Sequence, residues 1–243
     1  MPKSKKKRKS KSTSPSLTLS PIAIQNTLND ANNALGQGDV ERAHILAKKV
    51  LRAEPRNIDA LRILGNALAD SGHYVDAVRY LEKALSIHAT SDGYNDLGIA
   101  LAGLGEHHSA IEAYHKSLAI SPGVSVTHNN LGLAQFELGQ TEDAIDSYTQ
   151  AIIAEPTNPF IRYNLFEALE RRNRMEDLQV ALDDAVSVIG HHPQFALAKA
   201  SLLIKQKQYQ DATNTLTSVN PDQHANMILD PKFWRKRVHM LGD

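Results

Sequence analysis

Eleven histidines, 27 acidic residues and no cysteine set the chemical repertoire of this 243-residue chain. Histidine and carboxylate side chains can ligate metals and move protons. They crowd together at Glu106-His107-His108, and histidines pair again at His191-His192. Adjacent residues on a helix point about 100° apart, so neither pair is arranged around one ion. No His-Glu-x-x-His run places two of them on one helix face, and exposed or packing histidines are the expected reading. The lack of cysteine excludes a disulfide framework, thiolate-bound zinc or iron–sulfur centres, and a thiol nucleophile. There is no G-x-x-x-x-G-K-[ST] run to cradle a phosphate and no G-x-S-x-G elbow for a nucleophilic serine. No acid/base pair stands out among the carboxylates. The expectation is a chain without catalytic, metal or cofactor residues.

Basic and acidic residues balance at 27 each, but they are not mixed evenly. Lys3, Lys5, Lys6, Lys7, Arg8, Lys9 and Lys11 are all the charges of residues 1–12, which leaves the rest of the chain acidic by seven. Such a run repels itself and has little apolar surface to bury, so residues 1–20 are expected to form a disordered basic tail. The tail could also make weak contacts with nucleic acid or anionic lipid, releasing counterions from phosphates. The run Lys5 to Lys9 resembles a nuclear-import signal, which matters only in a eukaryote. No apolar stretch is long enough for a membrane span, and the basic start lacks the apolar run of a secretory signal. The expected location is cytoplasmic.

Self-similarity organises the remainder. Leu64-Gly65, Leu97-Gly98 and Leu131-Gly132 recur at separations of 33 and 34 residues. Behind them, at matching offsets, come Gly72, Gly105 and Gly139, then Ala77, Ala110 and Ala144. Leu81, Tyr114 and Tyr148 follow, and Pro55, Pro122 and Pro156 close three of the units. Apolar residues within a unit fall at helical spacing: Leu61, Leu64 and Leu68 on one helix, Ala77, Leu81 and Ala84 on a second. Gly65, Gly98 and Gly132 mark the close crossing of the two helices, with the small Ala residues on the facing helix. The later glycines supply the positive φ of the turn, and the prolines stop the second helix. Ser20-Pro21 reads as a cap followed by the first helical position. One helical hairpin buries too little to hold alone, so neighbouring units must stack.

The pattern over about residues 24–226 resembles the tetratricopeptide repeat, a 34-residue antiparallel helix pair. The resemblance implies an all-α, right-handed superhelical solenoid of about six repeats: 24–57, 58–90, 91–124, 125–158, 159–192 and 193–226. The fifth unit departs from it, with Phe166 for the close-approach Gly, Leu178 for the Ala and Asn173 for the turn Gly. Asn173 tolerates the turn, whereas Phe166 and Leu178 predict a wider helix pair. In the sixth, Lys199 takes the Leu position, which predicts looser packing.

The family binds ligands on its first helices. Carried over position by position, the resemblance implies a groove holding Asn29 and Asn32, Arg62 and Asn66, then Asn95, Asp96 and Ile99. Asn129, Asn130, Leu133 and Phe136 continue it, followed by Tyr163, Asn164 and Glu167. Asparagine is a poor helix former, but its amide donates and accepts, which suits the backbone of an extended peptide. Phe136 and Tyr163 are expected to anchor an apolar side chain. The family's carboxylate clamp is not expected, because Asp96 stands where Asn is needed and Val126 where Lys is needed.

The functional expectation is a protein-interaction scaffold that grips an extended partner segment and performs no catalysis. One alternative is the recognition region of a larger sulfotransferase or glycosyltransferase, since such enzymes carry similar arrays. Another is an adaptor that uses the basic tail to meet nucleic acid or an anionic membrane. For residues 227–243, Leu241-Gly242 resembles the start of a truncated seventh repeat. Trp234, Val238 and Leu241 equally suit a capping helix.

Overall fold

The computed structural model describes residues 19–218. The expectations for residues 1–18 and 227–243, and the end of the sixth unit beyond Ser218, lie outside the described residues. Among the described residues there are twelve α-helices and one short 3-10 turn, with no strand. None of these helices is long and apolar enough to cross a membrane. The chain separates into two compact units, divided between Ala89 and Thr90.

The first unit contains α1 (Pro21–Gly36), α2 (Val40–Ala53), α3 (Ile58–Asp70) and α4 (Tyr74–Ile87). Each helix packs on the next in chain order, around Leu28, Ala31, Ala43, Ala47, Val50 and Leu64. Ser20 does cap α1, its hydroxyl accepting from the Ala23 amide at 3.2 Å, with Pro21 just inside the helix. Asn57 caps α3 through the Ala60 amide at 3.0 Å.

The second unit continues with α5 (Ser91–Gly103), α6 (His107–Ile120), α7 (Ser125–Glu137), α8 (Thr141–Ala154), α9 (Pro159–Arg171) and α10 (Met175–Ile189). After the 3-10 turn Pro193–Phe195 come α11 (Ala196–Lys205) and α12 (Tyr209–Ser218). Consecutive helices pack here too, so both units are built as helical-repeat stacks. Hydroxyls tie the two helices of a pair together. Ser91 Oγ donates to the Ser117 carbonyl at 3.2 Å, and Ser125 Oγ repeats this on Ala151 at 3.0 Å.

The crossing glycines work as expected, with one refinement. A Cβ built on Gly132 would lie 2.6 Å from Tyr148 Cε1, and one on Gly65 would lie 2.6 Å from Leu81 Cγ. The space is therefore reserved for the large side chain one turn beyond each small Ala. In the fifth unit both positions are large: Phe166 sits on the first helix and Leu182 on the second, both buried. Phe166 then meets Phe195 from the 3-10 turn edge-on, with ring centroids 5.5 Å apart. As expected, α9 lies less closely on α10 than α5 does on α6.

The turns hold to the pattern even where glycine is missing. Asn173 has φ +56°, and Lys207, which the sequence did not mark, has φ +61°. A lysine Cβ is crowded in that conformation, whereas glycine is not. Lys207→Gly should raise stability by about 0.5–1 kcal/mol, read as a higher urea midpoint. An unchanged or lower midpoint would mean the turn is not held in that region.

Candidate functional site

The candidate site is the face of α5, α7 and α9 turned away from their second helices. Burial sets the rotation of each helix. On α7, Thr127, Leu131, Gly132, Ala134 and Gln135 point inward. Val126, Leu133 and Glu137 are consequently exposed, with Asn129 and Asn130 partly so. On α9, Ile161, Arg162, Leu165 and Phe166 are inward, and Tyr163, Asn164 and Glu167 lie half-buried. Arg162 is locked in place, donating to Asp184 at 2.6 Å and to the Pro156 carbonyl at 2.9 Å.

The asparagines do not stand as a row of independent amides. Asn130 Nδ2 donates to Asn95 Oδ1 at 3.2 Å, and Asn164 Nδ2 donates to Asn129 Oδ1 at 2.8 Å. Asn95 is only 9% exposed. Each pair is a strut between neighbouring first helices and fixes the orientation of the remaining amide groups. A third link has the same offset: Arg171 Nη1 donates to the Phe136 carbonyl at 3.1 Å. Its guanidinium lies 3.5 Å from the Phe136 ring centroid. Phe136 is thus a covered platform and not a bare anchor. Tyr163 packs against the buried cluster of Leu197, Ala200, Ala212 and Leu216.

Arg171 was missed by sequence reasoning, because the offset between neighbouring first helices is visible only in the structure. All three links span 35 residues, one more than the repeat, so each position meets the following position of the next unit. That stagger pairs Phe136 with Arg171.

In the first unit, Asn32 is exposed on α1, and Arg62 and Asn66 are half-buried on α3. Asn29 accepts from Gln25 Nε2 at 3.1 Å along its own helix. These form a separate set.

Burial pushes the Tyr148 phenol above its ordinary range, and the nearby carboxylates of Glu167 and Glu137 add to the effect. Its ring is a neutral packing element beneath the site. His192 Nδ1 accepts from the Gln194 amide at 3.3 Å, the role of a cap. His191 and His192 border a cleft of about 520 Å³ beside Phe195 and Lys199. Glu106 and His108 are exposed, and His107 turns inward. Among the described residues, no three His, Asp or Glu side chains gather around a place for a metal ion.

Comparison with known proteins gives consistent matches. Models described as tetratricopeptide repeat match residues 28–93, 89–152 and 129–177. No curated protein sequence matches the chain. Among solved structures, Pseudomonas aeruginosa PilF superposes with a TM-score of 0.73 at 15% identity, over 90% of this chain and 98% of PilF. TTC0263, a thermophilic repeat protein of Thermus thermophilus, gives 0.61 at 22% identity, over 74% of this chain and all (100%) of its own. YrrB, described as having an unusual peptide-binding site, gives 0.57 at 21% identity, over 71% of this chain and 90% of YrrB. At these identities the solved structures share a fold.

Proposed function

Since the chain belongs to the tetratricopeptide repeat family, we propose that it is a scaffold that holds an extended segment of a partner protein and acts by association, without catalysis of its own. The observation that carries this reading is the composition of one face. Exposed apolar Ile99 and Leu133 flank amides held in register by the Asn95–Asn130 and Asn129–Asn164 struts. Apolar side chains there gain by leaving water, while oriented amides offer partners to a peptide backbone that would otherwise lose its hydrogen bonds. The peptide-binding site ascribed to YrrB supports the same use of the fold. Asn32, Arg62 and Asn66 would serve a segment crossing the first unit in the same manner.

The two other expectations, a recognition region of a larger transferase and an adaptor working through Lys3 to Lys11, draw no support from the described residues.

A phage-displayed peptide library selected on the purified chain tests the proposal. Titrating a selected peptide against Leu133→Asp should show binding about tenfold weaker or worse, a loss near 1.4 kcal/mol. The helical spectrum should be unchanged, because Leu133 is exposed. Asn129→Ala should weaken binding too, and it should lower the melting temperature by releasing Asn164. Full binding by both variants would remove this face from consideration.

A further inference from the structure

A second row of side chains crosses the candidate face nearer the helix starts. Asp92, Val126 and Phe160 stand at one repeat position on α5, α7 and α9, 34 residues apart. On α5 and α7 the row lies seven residues before Ile99 and Leu133, about two helical turns, so both rows share a face. Gly93, Thr127 and Ile161, the next residue in each helix, are buried, which turns the row outward. Val126 is 52% exposed and Phe160 is 56% exposed, and Asp92 is exposed too. One exposed apolar residue is ordinary on a protein surface. Two at one repeat position on neighbouring helices form a patch of the kind that marks a binding surface, and a carboxylate precedes them on the first helix.

The surrounding charge has the same sign as Asp92. Residues 90–154 hold eight Asp or Glu, one Lys and no Arg. The field over α5 and α7 therefore draws a cationic segment and repels an acidic one. Spacing follows from the helices. The Asn95–Asn130 and Asn129–Asn164 hydrogen bonds bring the three first helices within side-chain reach, and helices in direct contact run about 8–10 Å apart. A polyproline-type chain rises about 3.1 Å per residue with three residues per turn, so every third side chain reaches the next helix on the same side.

We infer that the segment held by this face carries a Lys or Arg at one end of the row and two apolar side chains at the next two steps of three residues. The cation meets Asp92, and the apolar pair seats on Val126 and Phe160. The order can be read in either chain direction. This inference rests on the groove reading proposed above and adds the chemistry and order of the occupant.

Three fluorescein-labelled synthetic peptides make the test, followed by fluorescence anisotropy with the full chain. The first carries Lys, Leu and Leu at successive third positions in a Ser/Thr background. The second has the same composition with Lys in the middle, and the third has Glu in place of Lys. The first peptide should bind about tenfold more tightly than either of the others, as matched charge replaces mismatched and both apolar seats fill. Asp92→Lys should invert the preference between the Lys and Glu peptides, a readout that general loosening of α5 would not produce. Phe160→Ser should weaken the first peptide with the helical spectrum unchanged. Equal binding of all three peptides, an Asp92→Lys chain that still prefers the Lys peptide, or full binding by Phe160→Ser overturns the assigned order. Library-selected peptides that still depend on Leu133 would then leave the groove reading standing. If none of the three peptides binds, the assigned order falls. If the library yields no binder either, the groove reading falls with it.

Discussion

Gly98→Leu should melt at least about 6–12 °C below the parent, the shift expected for an overpacked crossing costing about 3 kcal/mol in a unit of this size. A Cβ on Gly98 would already lie 2.6 Å from Tyr114 Cδ1 and 2.8 Å from Tyr114 Cζ. Tyr114 is 2% exposed, so its ring has nowhere to swing. The smaller change Gly98→Ala is the sharper experiment, because two effects of known sign oppose each other. In an open helix interior, Gly to Ala gains about 1 kcal/mol from backbone propensity. At this crossing the ring contact should exceed that gain, and Gly98→Ala should be destabilising. Thermal unfolding followed by helical circular dichroism decides the sign. A stabilised Gly98→Ala would show that α5 and α6 do not meet closely at this point.

Phe166→Ala is the second large effect. Phe166 is 2% exposed and packs in a cluster with Leu178, Leu182, Leu202 and Phe195. Emptying such a site costs about 3–5 kcal/mol, the range for a buried Phe truncated to Ala. The loss should spread in a particular direction. Phe195 belongs to the turn that leads into α11, so its edge-on contact with Phe166 joins the fifth helix pair to the sixth. Phe166→Ala and Phe195→Ala combined should therefore cost less than their separate effects added, by about 0.5–1.5 kcal/mol. Strict additivity would mean that the two rings do not support each other. Weaker peptide capture should accompany the loss, since Asn164 and Glu167 share the helix that Phe166 anchors.

Much of this architecture was legible in the chain. The Leu-Gly, Gly and Ala offsets located the helix pairs because each residue answers a local demand. A crossing needs a small side chain, a turn needs positive φ, and Pro55, Pro122 and Pro156 lack the N–H that would carry a helix on. Even the fifth unit's departures were readable, since Asn173 can adopt the turn conformation and Phe166 cannot fit a close crossing. Lys207 was not readable, because a lysine at φ +61° is held there by its surroundings and not by its own preference.

The site residues divide along the same line. The resemblance to the repeat family sufficed to place Asn95, Asn129, Asn130 and Asn164 together on the first helices, because a 34-residue repeat carries a family position from one unit to the next. Which amides join one another, and that Arg171 roofs Phe136, depended on how one first helix is offset against the next. That offset comes from packing: large side chains such as Tyr114, Tyr148 and Phe166 are buried between the stacked helices. No local preference encodes it. Hence the repeat resemblance names the face, and the close packing of neighbouring repeats sets which of its groups engage one another.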